Sequence, residues 1–187
     1  MLGFQDEFWF SRLAQPNLHT WTTDQPLRLV QKEADAKDPD PKALACYGSG
    51  TLRVRTDTNQ MCLRFVAGRP ISHVTPTFLS FVLSGLSQEG KRVLVMVWDN
   101  ASWHISKEVQ TWIRAYTRRV KHEGGCRLLV CRLPSKSPWL NAIEPKWVHG
   151  KRAVLEPERK LSARELKERL CDYYKGSLLP PIAQNVR

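Results

Sequence analysis

Residues 92–104 read RVLVMVWDNASWH: an apolar run from Val93 to Trp98 stops abruptly at an aspartate, Asp99. Uniform apolarity over a strand's length fits a central strand covered on both faces, as parallel strands are. In sheets flanked by helices, functional groups gather beyond the carboxyl ends of such strands. Asp99 therefore stands where chemistry is usually placed. The position alone is ambiguous, because a carboxylate after a strand serves equally well to cap the next helix.

Working outward, the flanking segments supply the rest of a layered domain. Upstream, Thr75-Pro76 opens a helix, with Thr75 as N-cap and Pro76 at the first helical position. Phe78, Leu79, Val82, Leu83 and Leu86 fall at helical spacing, and Gly90 ends the segment. Leu44–Val54 and Met61–Val66 read as two strands of a hairpin turning at Asp57 to Gln60, preceded by a loop over Lys32 to Lys42. A first strand leads into Asp6-Glu7, which ends it.

Downstream, Ile105, Val109, Trp112, Ile113, Tyr116 and Val120 mark the apolar side of a second helix, and Lys107, Arg114, Arg118, Arg119 and Lys121 its basic side. Gly124-Gly125 precedes another strand, Leu128–Leu133, and Pro134 and Pro138 bracket a short loop. Asn141–Val154 reads as helical with Asn141 as N-cap. In the last helix Ser162 and Glu165 form a capping box, and Leu161 with Leu166 a staple. The sum is an α/β chain, a mixed sheet with helices on both faces.

At 42% hydrophobic and 25% charged residues, the chain has the makings of one packed domain and not of a disordered segment. No apolar run approaches the ~20 residues that span a bilayer, and the N-terminus carries acid early, without the basic start of a signal peptide. A soluble intracellular protein is expected. The 29 Lys+Arg against 18 Asp+Glu give a net charge of +11, an excess that attracts polyanions, nucleic acid above all. Cys46, Cys62, Cys126, Cys131 and Cys171 form no CxxC pair, so reduced and mostly buried thiols are expected rather than a zinc ribbon or disulfide framework.

Two further acids stand in positions like that of Asp99. Asp6 closes the first strand, and Glu144 lies at the start of a helix. Three carboxylates drawn together repel by a few kcal/mol per pair near a protein surface, roughly 4 kcal/mol at 4 Å. A cation would offset that cost. Oxygen-only ligands suit Mg²⁺ or Mn²⁺, and two such ions about 4 Å apart serve phosphodiester chemistry.

The residues also carry a resemblance. FQDE (Phe4 to Glu7), WDNASWH (Trp98 to His104) and LPSKSPWLNAIEPKW (Leu133 to Trp147) resemble the three signature blocks of DDE transposases, in particular the bacterial insertion-sequence branch of the mariner superfamily. The resemblance runs from about Leu2 to Tyr174 and implies an RNase H-like catalytic domain over residues 1–176, with a flexible tail over 177–187. It makes Asp6, Asp99 and Glu144 the catalytic, metal-binding triad, with Glu7 as the alternative first ligand. Asn100, His104 and Asn141 then orient the carboxylates, and Lys136, Trp139, Lys146, His149, Lys151 and Arg152 contact DNA.

The implied activity is Mg²⁺- or Mn²⁺-dependent nicking and strand transfer at transposon ends, with DNA as partner, a homodimer as the working state and the bacterial cytoplasm, at the nucleoid, as location. The family's helix-turn-helix modules have no room before Asp6, so a separate polypeptide supplying them, or a truncated chain, is expected. Pro145 follows Glu144 where the family places a proline ahead of the Ile-Glu pair. A proline disfavours the helical conformation in the residue before it, which makes Glu144 an N-cap of a helix starting at Pro145. The Asp99–Glu144 spacing also exceeds the family's usual one; the surplus is expected around Ala115 to Gly125, in an extended helix end and Gly-Gly loop. These departures keep two alternatives open: an inactive or domesticated DNA-binding remnant, and a structure-selective nuclease of the same fold.

Overall fold

A computed structural model describes residues 1–12, 19–20, 27–28, 37–52, 61–67, 71–154, 156 and 159–180. The elements are β1 (Leu2–Ser11), β2 (His19–Thr20), β3 (Leu27–Arg28), β4 (Ala43–Leu52), β5 (Cys62–Ala67), α1 (Val74–Gln88), β6 (Val93–Trp98), α2 (Ser102–Ile105), α3 (Lys107–Glu123), β7 (Arg127–Arg132), α4 (Glu144–Val154) and α5 (Ala163–Tyr173). Five strands form one sheet in the order β5-β4-β1-β6-β7. β1 pairs antiparallel with β4, and β4 with β5, whereas β6 lies parallel to β1 and β7 parallel to β6. The apolar run is thus the buried strand β6, between β1 and the edge strand β7.

Alternation along the strands divides the core into two layers. Ala45, Tyr47, Leu94, Met96 and Trp98 point to one face, where Phe78, Leu79 and Leu83 of α1 and Val109, Tyr116 and Val120 of α3 cover them. Phe10, Leu44, Cys46, Leu63 and Phe65 point to the other, beneath Trp147 of α4 and Leu166, Leu170 and Tyr174 at α5. The sheet therefore carries helices on both faces, as the sequence pattern predicts.

Several local expectations are corrected. Asp6 does not end a strand: β1 continues to Ser11, so Asp6 lies in its middle. α1 begins at Val74 with His73 before it, and Thr75, buried in the first turn, does not cap it. Ile105 belongs to α2 and is 49% exposed, because Ser106 leaves the helix and its hydroxyl caps α3 through Val109 N–H. Over Ala115 to Gly125, α3 runs unbroken to Glu123 and stops at Gly124, at φ +83. The hairpin turn at Asp57 to Gln60 falls outside the described residues, as does the tail beyond residue 180.

The C-terminal helix behaves as its sequence signals. Ser162 and Glu165 make the reciprocal capping box, and Leu161 and Leu166 are both buried. Arg12, buried at the end of β1, donates to Leu161 O, Pro41 O and Asp38 and so ties β1 to the start of α5. All five cysteines are free: Cys46, Cys126 and Cys171 are buried and Cys131 is exposed. No described helix is long and apolar enough to cross a membrane.

Candidate active site

The site is assembled by register. Leu2, Gly3 and Phe4 of β1 pair in parallel with Val95, Met96 and Val97 of β6. Asp6 and Asp99 each lie two residues beyond the last of these pairs, so the register carries them out side by side. Asp6 shares the face of Phe8 and Phe10, the face that α4 covers. Its antiparallel partner on β4 is Gly48. A Cβ at Gly48 would strike the ring of Trp147, so only glycine lets that indole pack over β4. Trp147 also stacks on Phe8 at a centroid distance of 6.0 Å. Trp147 lies one turn after Glu144, and its seating fixes where α4 begins.

The loop before α4 is pinned to the same strand. Asn141 is buried and donates from Nδ2 to Gln5 O at 3.4 Å. Its Oδ1 accepts from Ile143 N–H, so it makes a turn ahead of the helix and does not cap it. Glu144 is the first residue of α4, its N–H bonded to Asn141 O at 3.1 Å. Pro145 accordingly occupies the first helical turn, where its missing N–H costs nothing, and Glu144 is not displaced to an N-cap.

The charges of Glu144 and Asp99 both act on Asp6, and that of Asp99 acts on Glu144. Burial pushes the Asp6 carboxyl up, and the charges of Glu7, Glu144 and Asp99 add to it, to about 8. Glu144 is raised by burial and by Asp99, against a hydrogen bond from the Asp6 carboxyl that pulls it back. Burial also pushes Asp99 up, but the His104 ring and the Ala101 N–H, both bonded to Oδ1, outweigh it and hold Asp99 below the usual carboxylate value. Among the described residues no group of three His, Cys, Asp or Glu side chains stands preassembled as a metal cage. The donor set is nonetheless all oxygen, and burial together with the neighbouring carboxylates favours the protonated form of Asp6. That is the chemistry of a hard-cation site.

Asn100 and His104 take different parts. Asn100 is exposed and donates to Leu133 O at 2.7 Å, holding the two loops that follow β6 and β7 together. His104 is fully buried, with Nδ1 2.5 Å from Asp99 Oδ1. Its Nε2 lies 2.9 Å from Glu7 Oε2, outside hydrogen-bonding angles, and the approach is a charge contact rather than an aligned bond. Burial pulls this imidazole down, but the Glu7 charge and the bond to Asp99 outweigh it and raise it to about 9. Glu7 itself points to the opposite face from Asp6, with its side chain inaccessible to solvent. Trp103 does not reach outward either, because its Nε1 donates to Glu7 Oε2 at 2.6 Å. The sequence offered a signal for this: successive residues of a strand face opposite ways, so an Asp-Glu pair inside one cannot serve one site.

The residues expected to meet DNA are dispersed around the rim. Lys136, at φ 58, is exposed on the loop after β7 and with Asp99, Asn100 and Ser137 lines a cleft of about 420 Å³. Trp139 is 72% exposed, and Leu140 beside it 49%. On α4, helical spacing puts Lys151 and Arg152 on the side of Glu144, and Lys146 and His149 on another. The Lys146 carbonyl accepts from the Tyr174 hydroxyl, which ties α4 to the end of α5.

Solved structures share this architecture. The chain is similar to Mos1 transposase in its paired-end complex with the left transposon end, at 12% identity and a TM-score of 0.62, covering 94% of this chain and 48% of that one. It is similar to the mariner Mos1 paired end complex with Mg at 14% identity and 0.61, covering 94% and 50%. The catalytic domain of Mos1 mariner transposase matches at 13% identity and 0.56, covering 94% and 70%. This chain thus spans about half the length of the full transposases, and at such identities the likeness is one of fold, the RNase H-like sheet. No curated protein matches it. Residues 54–167, more than half of the chain and inclusive of Asp99 and Glu144, match the DDE superfamily endonuclease family, to which this chain belongs.

Proposed function

We propose that this chain is the catalytic domain of a transposase of the mariner superfamily, in its bacterial insertion-sequence branch. It would nick DNA at transposon ends and join the freed 3′-hydroxyl to target DNA. The observation that supports the reading is electrostatic: the charges of Glu144 and Asp99 both raise Asp6, and that of Asp99 raises Glu144, three acids drawn from three elements. Mg²⁺ or Mn²⁺, in one or two ions, would be held by those three carboxylates. When bound it supplies activation of the attacking oxygen and stabilisation of the leaving one. The mariner Mos1 paired end complex, similar in fold, is a complex with Mg.

The protein's own residues do the positioning. β1 and β6 hold Asp6 and Asp99 on rigid backbone, and α4 brings Glu144 to them with its N-terminus adjacent, where the helix dipole favours negative charge. His104 fixes one oxygen of Asp99. Lys136 and Asn100 in the neighbouring cleft, with Lys151 and Arg152 beyond Glu144, would take phosphates of the strand, and Trp139 would stack on a base. The working state would be a homodimer that holds two ends together, with end recognition by helix-turn-helix modules.

The test is nicking of a supercoiled or end-containing duplex in Mg²⁺ or Mn²⁺. Wild type should nick, and Asp99→Ala should reduce the rate by two orders of magnitude or more while leaving the fold intact. Nicking that survives Asp99→Ala would remove the triad from the chemistry. Cleavage of branched DNA or RNA–DNA hybrid without strand transfer would favour a structure-selective nuclease, and salt-sensitive DNA binding without metal uptake a DNA-binding remnant.

A further inference from the structure

Glu7 is a buried acid beside the site, its side chain closed to solvent, and the proposed chemistry does not use it. Its two oxygens are taken from three directions. Oε1 accepts from Gln5 Nε2 at 2.6 Å, Oε2 accepts from Trp103 Nε1 at 2.6 Å, and His104 Nε2 stands 2.9 Å from the same Oε2. Trp103 and His104 are consecutive residues of α2, a helix of only four residues. A helix that short has almost no stability of its own. Its place against the sheet is set largely by what its side chains grip.

The grip continues to Asp99. His104 Nδ1 lies 2.5 Å from Asp99 Oδ1, and the Ala101 N–H reaches the same oxygen at 3.0 Å. A chain of contacts therefore runs from Glu7 on β1, through the imidazole on α2, to Asp99 after β6. The ring is fully buried and stacks near Trp98 at 4.3 Å between centroids. It cannot swing away without opening the core.

We infer that Glu7 is a positioning residue for Asp99, acting through His104 and Trp103 of α2, and not an alternative ligand in place of Asp6. Facing away from Asp6, it sets the angle of the carboxylate that the site would use, much as outer partners of metal-bound groups orient them. The inference rests on the metal-site reading given above, but its central claim concerns orientation and can be examined separately.

The experiment uses the full chain, with Glu7→Gln and Trp103→Phe as variants and a thermal melt to certify folding. Mn²⁺ alone is titrated, with free ion counted by electron paramagnetic resonance. The low-field proton spectrum follows the protected His104 ring N–H bonded to Asp99. Glu7→Gln should weaken Mn²⁺ binding by ~10-fold or more and expose the ring N–H to fast exchange. Trp103→Phe should shift both in the same direction by less. A merely structural role would lower the melting temperature and leave both readouts alone, and folded variants that keep wild-type Mn²⁺ affinity and a protected ring N–H would overturn the inference. If wild type takes up no Mn²⁺, the metal reading fails, and the ring N–H alone decides whether Glu7 holds the imidazole. If Glu7→Gln does not fold, Trp103→Phe decides on the same readouts.

Discussion

Asp6 sits across the β1–β4 ladder from Gly48, and the indole of Trp147 lies over that glycine. The candidate site therefore depends on an absent side chain. A methyl group at Gly48 would meet Trp147 and the end of Met61, both buried. Gly48→Ala should cost about 1–3 kcal/mol by overpacking, read as a lowered midpoint in urea. It should also reduce nicking more than the stability loss explains, because displacing Trp147 moves Glu144 one turn away. A compensating Trp147→Phe in the same chain should recover part of both.

Trp139 offers the opposite case. At 72% exposure it contributes little to the core, so Trp139→Ala should leave the melting temperature unchanged. Stacking of a base on an aromatic ring is worth about 1–3 kcal/mol, which predicts a roughly 5- to 150-fold weaker Kd for end-containing DNA. Fluorescence anisotropy at fixed salt would check it. Unchanged affinity would leave the loop after β7 as scaffolding only.

Much of this was legible in the residues, and the parts that were not have definable causes. The β6 run announces a buried strand because parallel strands lack a polar face, and the Ser162–Glu165 capping box is a local signal that folds as written. The three acids were legible as types. Their geometry was not, since it depends on long-range register: nothing near Asp6 says that β1 continues for five more residues, or that Gly48 must lie opposite. Glu7 was misleading for the same reason, because a strand's alternation separates Asp6 from Glu7 only once the strand is known to persist. Thr75 and Ile105 failed through tertiary override, where burial at α1 and the kink at Ser106 outweighed local propensity.

Arg12 joins three segments far apart in sequence, with its guanidinium 2.8 Å from Asp38 and 2.7 Å from Leu161 O. Asp38 also pairs with Lys160 at 2.8 Å, so losing Arg12 does not strand it; what loses a donor is the set of carbonyls of Pro41, Asp40 and Leu161. A buried acceptor left unmet costs about 1–3 kcal/mol, so Arg12→Leu should lower the midpoint of chemical denaturation. Asp38→Asn should cost less than Arg12→Leu, because the carbonyl bonds remain. Equal losses would mean that Asp38, not the backbone carbonyls, holds the guanidinium.

The last prediction concerns pH in the absence of divalent ions. Asp6 is raised from 3.8 to about 8, so the folded state holds a proton there that the unfolded chain has released. Its contribution is full below 3.8 and is lost progressively as pH rises through about 8. His104, raised from 6.5 to about 9, contributes fully below 6.5 and loses that support as pH rises through about 9. Both have the same sign, so in EDTA the melting temperature should fall steadily between pH 6.5 and 9. Asp6→Asn, which carries no charge to bury, should raise the alkaline end of that curve and leave only the decline belonging to His104. Saturating Mg²⁺ should flatten the wild-type curve but not that of Asp6→Asn, because an ion bound by the ionised carboxylate replaces the proton. A melting temperature in EDTA that is level or rising across this interval would show that Asp6 is ionised in the folded chain without a cation.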